Sequence, residues 1–186
     1  LASIPAHHGD PIEGAKVVLN DPLSGVAEAF RLLRTDIQLS LATHHFKTLL
    51  VVGARPGDGA STVASNLAIA LAQTGRKVVL VDADLRRPML HMLFSANPAA
   101  GVSSVLTGNF GLDAAVQPTE QDGLFVLPAG PAVKLASELL SGAAMGRLLV
   151  ELKSRFDMVI VDAPSPIIFA DALVLGSQLD VALIVA

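Results

Sequence analysis

The chain has 186 residues, enough for one domain with a sizeable core, and 52% of them are hydrophobic. Its net charge of −4 and its lack of a long basic run argue against nucleic-acid binding. It contains no cysteine, which excludes disulfides and thiolate metal sites, and it contains no tyrosine. Aspartates such as Asp82 and Asp162 interrupt the apolar runs before they reach about 18 residues, so no transmembrane helix is expected.

The N-terminal segment, residues 1–20, contains several prolines and glycines and predicts an irregular arm. A helix should follow, with Ser24 as its N-cap and residues 27–43 as its body. Its apolar stripe consists of Phe30, Leu33, Ile37 and Leu41. Residues 21–186 are expected to form a single domain. Because the chain stops within an apolar run, we expect this domain to be truncated at its C-terminus.

Further strands and helices alternate along the chain. Strands are predicted at residues 48–53, 77–82, 124–127, 158–162 and 181–186, and helices at 61–74, 88–95, 102–108, 143–156 and 170–179. This alternation indicates an α/β three-layer sandwich with a mainly parallel sheet.

A glycine-rich loop joins the first predicted strand to its helix. Gly57 and Gly59 allow backbone N–H groups to surround an anion, and the Ser61 hydroxyl is placed to ligate Mg²⁺. Ala60 stands where a phosphate-binding loop carries the lysine that reaches the β- and γ-phosphates. The strand, loop and helix therefore predict a P-loop NTPase sandwich that binds ATP or ADP. Its predicted nucleotide-binding residues are Arg55, Pro56, Gly57, Asp58, Gly59, Ala60, Ser61 and Thr62.

Two later strands deliver aspartates to the edge of the sheet where open α/β folds bind ligands. Asp82 and Asp84 follow one strand, and Asp162 ends another. Mg²⁺ takes one or two carboxylates together with phosphate oxygens, so Ser61, Asp82 and Asp162 are the predicted metal ligands. Asp84 would remain free to orient or deprotonate a nucleophile.

Three charged residues near these motifs allow more than one interpretation. Arg86 and Arg87 either pair with surface carboxylates or contact a phosphate or an interface. Asp171 is expected to begin a helix rather than to touch a nucleotide.

Six segments together resemble a known family. They are residues 28–34, 54–62, 81–88, 127–130, 137–140 and 156–164. Their sequences and order resemble the cytoplasmic domain of the bacterial tyrosine kinases (BY-kinases) of the capsular and exopolysaccharide chain-length regulator family, the polysaccharide co-polymerases. The resemblance covers residues 21–186. Residues 1–5 are similar to the segment that leaves the second transmembrane helix in single-chain members, so the arm resembles a juxtamembrane linker.

The resemblance implies an ATP-dependent protein-tyrosine autokinase that regulates polysaccharide polymerisation and export at the cytoplasmic face of the bacterial inner membrane. It implies ATP or ADP with Mg²⁺, a catalytic set of Asp82, Asp84 and Asp162, and activation of the attacking tyrosine hydroxyl by Asp82 or Asp84. The implied partners are neighbouring copies in a ring and a transmembrane co-polymerase segment or adaptor, without nucleic acid. The motif formed by Glu28, Arg31 and Arg34 would join the subunits. In the simpler interpretation, Glu28 and Arg31 only form an i,i+3 pair on an exposed helix face.

Departures from the family pattern predict an impaired kinase. Ala60 replaces the loop lysine, Ala163 stands where a hydroxylic residue is common, and no tyrosine is present to be phosphorylated. A missing tail would explain the absent tyrosine. Ala60 is either an engineered substitution that stalls turnover or a feature of a natural degenerate member that acts as a scaffold.

Two alternatives belong to other classes of protein. One is a membrane-surface ATPase of the septum-site-determining or plasmid-partitioning type, in which a signature lysine occupies the place of Arg55. Those ATPases lack the helix that carries Glu28, Arg31 and Arg34. The other is a non-catalytic module that uses the fold to gate polysaccharide export.

Overall fold

A computed structural model describes residues 3–5 and 11–186, which form a six-stranded sheet with helices on both faces. The helices are α1 (Pro11–Gly14), α2 (Val17–Asn20), α3 (Gly25–His44), α4 (Ala60–Ala72), α5 (Leu90–Leu93), α6 (Val102–Leu106), α7 (Leu112–Ala115), α8 (Ala136–Ser141), α9 (Ala143–Arg155) and α10 (Asp171–Gly176). The strands are β1 (Thr48–Gly53), β2 (Val78–Asp82), β3 (Gln117–Pro118), β4 (Leu124–Leu127), β5 (Met158–Ala163) and β6 (Val181–Val185). None of the helices described is long and apolar enough to cross a membrane.

The strand order is β3-β4-β2-β5-β1-β6, and every neighbouring pair is parallel except β3 and β4. The three central strands β1, β2 and β5 are buried along their whole length. They are therefore continuous apolar runs rather than alternating ones, because helices cover both faces of the sheet. This architecture confirms the predicted α/β sandwich with a mainly parallel sheet.

Each face of the sheet supports its own hydrophobic core. Leu49 and Val51 of β1 pack into the layer of α3 and α4, whereas Leu50 and Val52 pack into the layer of α8, α9 and α10. This division follows from the alternation of side chains along a strand. The predicted stripe of α3 is buried, and the Ser24 hydroxyl caps this helix by accepting the Ala27 N–H at 3.1 Å.

Residues 11–20 differ from the irregular arm expected there, because most of them form α1 and α2. Val17 and Val18 are buried in the core. The Asn66 side chain of α4 ties this segment down, accepting the Val18 N–H at 3.0 Å and donating to the Gly14 carbonyl at 2.8 Å. Two four-residue helices show no periodicity in the sequence, so tertiary contacts decide their structure. Residues 1, 2 and 6–10 of the predicted arm lie outside the described part of the chain.

The remaining differences concern short elements and helix ends. Helix α4 begins one residue earlier than expected, at Ala60, and ends at Ala72. The helices expected at 88–95 and 170–179 cover only Leu90–Leu93 and Asp171–Gly176. The sequence did not predict α7, β3 or α8, which have four, two and six residues and are too short for a clear period.

Candidate functional site

The loop between β1 and α4 folds back on itself within residues 53–58. The Asp58 carboxylate accepts the Arg55 N–H at 2.6 Å, and the Asp58 N–H donates to the Arg55 carbonyl at 3.3 Å. A Cβ atom at position 53 would lie 2.7 Å from that carbonyl oxygen, so a larger residue would require the backbone to move. Gly57 and Gly59 have φ values of 92° and 85°, in the left-handed region that favours glycine. The loop therefore owes its shape to its glycines and to Asp58.

Asp82 and Asp162 lie side by side, because β2 and β5 are parallel neighbours whose register pairs these two residues. Both side chains are buried. Oδ2 of Asp82 accepts the N–H groups of Met89 at 3.1 Å and Leu90 at 3.0 Å. Oδ1 of Asp82 is buried without a hydrogen-bond partner among the described residues. Ser61, in the first turn of α4, lies close enough to Asp162 to lower its pKa, so the structure brings the three predicted metal ligands together.

The two buried carboxyl groups resist ionisation. Burial raises the pKa of Asp162 to about 8, and the Asp82 charge adds to this rise while the Ser61 side chain opposes it. Burial also raises the pKa of Asp82 to about 7, against the lowering effect of its two backbone hydrogen bonds. No lysine or arginine in the described residues forms an ion pair with either group. A cation at this place would lower both pKa values.

Magnesium fits this set of donors. Mg²⁺ prefers oxygen ligands and needs only one or two carboxylates when phosphate oxygens and water complete its shell. Asp82 offers the partnerless Oδ1 atom, and Ser61 and Asp162 contribute two more side chains with oxygen donors. The described residues include no group of three or more His, Cys, Asp or Glu side chains able to hold a metal. An ion at this place would therefore depend on ligands from a bound phosphate.

Asp84 lies just beyond β2 and is half-buried. Its Oδ1 atom accepts the N–H groups of Arg86 at 3.1 Å and Arg87 at 2.9 Å, which closes the turn that follows the strand. The charge of Asp84 also contributes to the raised pKa values of Asp82 and Asp162. The structure therefore places Asp84 within electrostatic range of the buried pair, at the edge of the sheet where it was predicted.

Sequence reasoning missed an ion pair beside this site. Asp171 begins α10, as expected, but it is also fully buried. Arg86 donates to its carboxylate from Nε at 3.0 Å and from Nη2 at 3.4 Å, and the Ser137 hydroxyl donates to the same group. The Arg86 guanidinium also lies 4.3 Å from the centre of the Phe169 ring. Arg86 thus pairs with a buried carboxylate, and no local signal could reveal this because the partners are 85 positions apart.

The other predicted nucleotide-binding residues surround the loop. Ala60 is the first residue of α4, and its methyl group packs against the core. Thr62 is half-buried, whereas Arg55 and Pro56 are exposed. Among the residues described, the Arg55 guanidinium forms no ion pair or hydrogen bond. The loop therefore has one positively charged side chain without a partner in the described part of the chain, that of Arg55. It has no positive side chain at position 60, where α4 begins.

Glu28, Arg31 and Arg34 of α3 do not share one surface. Arg31 pairs with Glu28 at 3.0 Å and also donates to the Pro22 carbonyl. Arg34 turns towards α4 instead, with Nη1 3.5 Å from the Ala70 carbonyl. Its Nε atom is buried and has no partner among the residues described. Glu28 and Arg31 are therefore the more accessible part of the predicted subunit interface.

The sequence is similar to known proteins along most of its length. Residues 46–182 match the family model described as "AAA domain". The chain is 37% identical over 174 residues to the tyrosine-protein kinase YwqD of Bacillus subtilis (strain 168), covering 94% of this chain and 73% of that protein. It is 34% identical over 170 residues to the tyrosine-protein kinase etk of Escherichia coli (strain K12), covering 91% of this chain but only 23% of that protein.

Solved structures give a consistent result. The kinase domain of Escherichia coli tyrosine kinase ETK matches 100% of this chain and 76% of its own, with a TM-score of 0.91 and 32% identity. The chimerical protein CapA2B2 matches 99% of this chain and 79% of its own, with a TM-score of 0.90 and 30% identity. The septum site-determining protein MinD from Pyrococcus horikoshii, solved with Mg-ADP, matches 75% of this chain and 57% of its own, with a TM-score of 0.65 and 25% identity.

Proposed function

This chain belongs to the bacterial tyrosine kinases of the capsular and exopolysaccharide chain-length regulator family, and we propose that it binds ATP or ADP with Mg²⁺ at residues 54–62. The supporting observation is the Oδ1 atom of Asp82, which is buried beside Asp162 and has no partner in the described part of the chain. A buried polar atom without a partner is costly unless a ligand completes it. The glycine-rich loop next to this pair supplies the place for that ligand.

Different residues of the chain would bind the phosphates, hold the metal ion and accept a proton at this site. The N–H groups of the loop and the N-terminus of α4 would bind the phosphates. Ser61, Asp82 and Asp162 would hold Mg²⁺, which offsets the negative charge of the phosphates when it is bound. Asp84 or Asp82 would accept the proton of an attacking tyrosine hydroxyl.

Ala60 would make this chain a poor kinase. Its methyl group cannot stabilise the charge that develops on the transferred phosphoryl group, and loss of one such donor costs about 3–4 kcal/mol, or roughly 10²–10³ in rate. The hydrogen bonds that shape the loop involve Arg55 and Asp58 rather than position 60. Nucleotide binding would therefore persist, more weakly, while phosphoryl transfer slows.

We extend the proposal to the cellular setting that the family implies. The domain would regulate capsular or exopolysaccharide polymerisation and export at the cytoplasmic face of the bacterial inner membrane. It would work with a transmembrane co-polymerase segment or adaptor, and with neighbouring copies that contact each other through Glu28, Arg31 and Arg34. The chain corresponds to only 23% of etk, so the activity and partners of a whole protein of this kind are part of the proposal.

A non-catalytic role in assembling the export apparatus is the second candidate, and Ala60 is the observation that favours it. A partitioning-type ATPase has less support. MinD shares the fold, and Arg55 lies at the place of the signature lysine, but the TM-score of 0.65 is below the 0.91 for the ETK kinase domain.

Thermal unfolding with and without Mg-ADP tests the proposed function. Millimolar Mg-ADP should raise the melting temperature, because a ligand at about 100 times its Kd stabilises the native state by about 2.7 kcal/mol. Asp82→Asn should remove most of this rise. Asp157→Asn is the matched control, since Asp157 precedes β5 at the other end from Asp162, and in the described part of the chain its side chain accepts only the Lys77 N–H. An unchanged melting temperature in both the unchanged chain and Ala60→Lys would contradict the proposal.

A further inference from the structure

The candidate site has a shortage of positive charge. Asp82, Asp84 and Asp162 lie together at one edge of the sheet, and no lysine or arginine of the described residues pairs with the two that are buried. Nucleotide phosphates would bring further negative charge, of which Mg²⁺ offsets a part. Ala60 leaves the helical end of the loop without its ammonium. Some other side chain must supply a cation if phosphates bind tightly.

Arg86 is not free to do this. Its guanidinium is held by the buried Asp171 carboxylate and by the Ser137 hydroxyl, and one face of it is covered by the Phe169 ring. Moving it to a phosphate would leave the Asp171 carboxylate buried without its cationic partner, which is strongly unfavourable.

Arg55 is free, and its backbone is fixed in the loop itself. The Asp58 carboxylate accepts the Arg55 N–H and so belongs to the turn, and the Arg55 guanidinium is exposed without a partner in the described residues. A guanidinium is planar and offers paired N–H donors that match two oxygens of a phosphate. Arg55 therefore carries suitable chemistry at the rim of the turn that contains Gly57 and Gly59.

Arg87 is also exposed and lies just beyond the carboxyl end of β2, next to Arg86. Its N–H binds Asp84 at 2.9 Å, much as the Arg55 N–H binds Asp58, so a carboxylate lies within the turn of each arginine. What distinguishes Arg87 is its position, because it follows β2 rather than lying in the glycine-rich loop.

We propose, on the basis of the nucleotide site proposed above, that Arg55 of the same chain binds the nucleotide phosphates and supplies the positive charge that Ala60 lacks. In this arrangement, Arg55 supplies the positive charge to the phosphates that the loop lysine supplies in other P-loops. It also predicts that one added lysine at position 60 can replace it.

Affinities for Mg-ADP and Mg-ATP, measured by calorimetry at low and high ionic strength, test this assignment. Arg55→Ala should weaken binding about tenfold or more, because hydrogen bonds to charged groups contribute strongly. The loss should shrink at high salt. Arg55→Lys should retain part of the affinity, and Ala60→Lys should restore binding in the Arg55→Ala background. Arg76→Ala is the control, because Arg76 precedes β2 at the opposite edge of the sheet.

The possible outcomes separate this assignment from the proposed function. If the unchanged chain binds Mg-ADP and Arg55→Ala binds it equally well, the Arg55 assignment is wrong and the proposed function stands. A loss in Arg87→Ala alone would give the role to Arg87. If mixing Arg55→Ala with Asp82→Asn copies restores binding, the arginine comes from a second copy, which overturns the assignment within one chain. If neither the unchanged chain nor Ala60→Lys binds, both proposals fail.

The Arg55→Ala variant should keep the loop folded. The hydrogen bond to Asp58 uses the backbone N–H of residue 55, which alanine retains.

Discussion

Asp180 lies where the strands of the sheet begin, and Asp162 lies where they end, at the opposite edge in this sense. Their surroundings change their pKa values in opposite directions. Asp180 precedes β6 and accepts the N–H groups of Lys47 at 2.9 Å and Thr48 at 3.0 Å, and it pairs with Lys153. Burial pushes the pKa of Asp180 up, but these hydrogen bonds outweigh it and lower the pKa to about 2. Burial and the neighbouring Asp82 instead raise the pKa of Asp162 to about 8.

We interpret this difference as one between a structural carboxylate, Asp180, and a carboxylate that we propose binds a ligand, Asp162. At the Asp180 edge, the protein supplies donors for the ionised form, and the charge stabilises the native state. Around Asp162, carboxylates lie together without a lysine or arginine partner among the described residues, which costs stability unless a cation binds. A fold retains such a cost where function requires it, and perturbed acids at the carboxyl ends of parallel strands are candidates for functional residues.

Restoring the loop lysine should have the largest effect on activity. Ala60→Lys, given ATP, Mg²⁺ and a tyrosine-containing acceptor peptide, should raise phosphorylation of the peptide by at least about a hundredfold, because it adds charge where phosphoryl transfer needs it. Mass spectrometry of phosphotyrosine provides the measurement. Asp84→Asn in the restored background should lower the rate again.

A restored chain that binds ATP but phosphorylates no faster would favour the non-catalytic role. The buried carboxylates Asp82 and Asp162 would then belong to a site that binds nucleotide without catalysing phosphoryl transfer.

Removing one of the two paired buried acids should stabilise the protein without ligand. Because the folded pKa values of Asp82 and Asp162 are raised to about 7 and about 8, the native state holds protons that the unfolded chain releases above about pH 4. The free energy of unfolding should therefore fall as the pH rises from about 4 to 8. Asp82→Asn should flatten this decline and stabilise the protein by roughly 2 kcal/mol at pH 8.

Urea unfolding at pH 5 and pH 8 provides the measurement. Asp157→Asn, at the other end of β5, should leave the pH dependence unchanged. A decline that is equally steep in Asp82→Asn would show that the buried pair does not cause it.

The opposite edge should respond with the opposite sign. Asp180 has a lowered pKa, so its contribution is present above about pH 4 and is lost as the pH falls towards 2. Asp180→Asn should cost about 1 kcal/mol at pH 7, a value reduced for solvent screening because the side chain is 31% exposed. Chemical unfolding at pH 7 and pH 2.5 should show a loss at pH 7 that is smaller at pH 2.5. If Asp180→Asn instead stabilised the protein at pH 7, Asp180 and the pair of Asp82 and Asp162 would not have opposite effects on stability.

Replacement of Glu28, Arg31 and Arg34 on α3 should have the smallest effect on stability. The pair of Glu28 and Arg31 is an i,i+3 pair on the helix surface and contributes a few tenths of a kcal/mol. If these residues and Arg34 join neighbouring copies, their triple alanine variant should remain folded and sediment as a monomer. The unchanged chain should form a closed ring under the same conditions. An unchanged chain that is monomeric at tens of micromolar would count against the interface.

The sequence predicted the central sheet well, because β1, β2, β4 and β5 are dense apolar runs that end near polar residues, glycine or proline. It also predicted that Asp82 and Asp162 share an edge, since parallel strands align their carboxyl ends. It could not predict the partner of Arg86, because Asp171 lies 85 residues away and only the tertiary fold joins them. Residues 11–20 were missed because Asn66, a distant residue, fixes their backbone.

Crystals grown with ADP and Mn²⁺ in place of Mg²⁺ test the central claim most directly. Anomalous scattering would locate the metal without ambiguity. We expect one peak beside Ser61, Asp82 and Asp162, with the phosphates of ADP in the loop at residues 54–62. ADP bound in that loop without a metal peak at the two aspartates, or a metal bound elsewhere, would contradict the account.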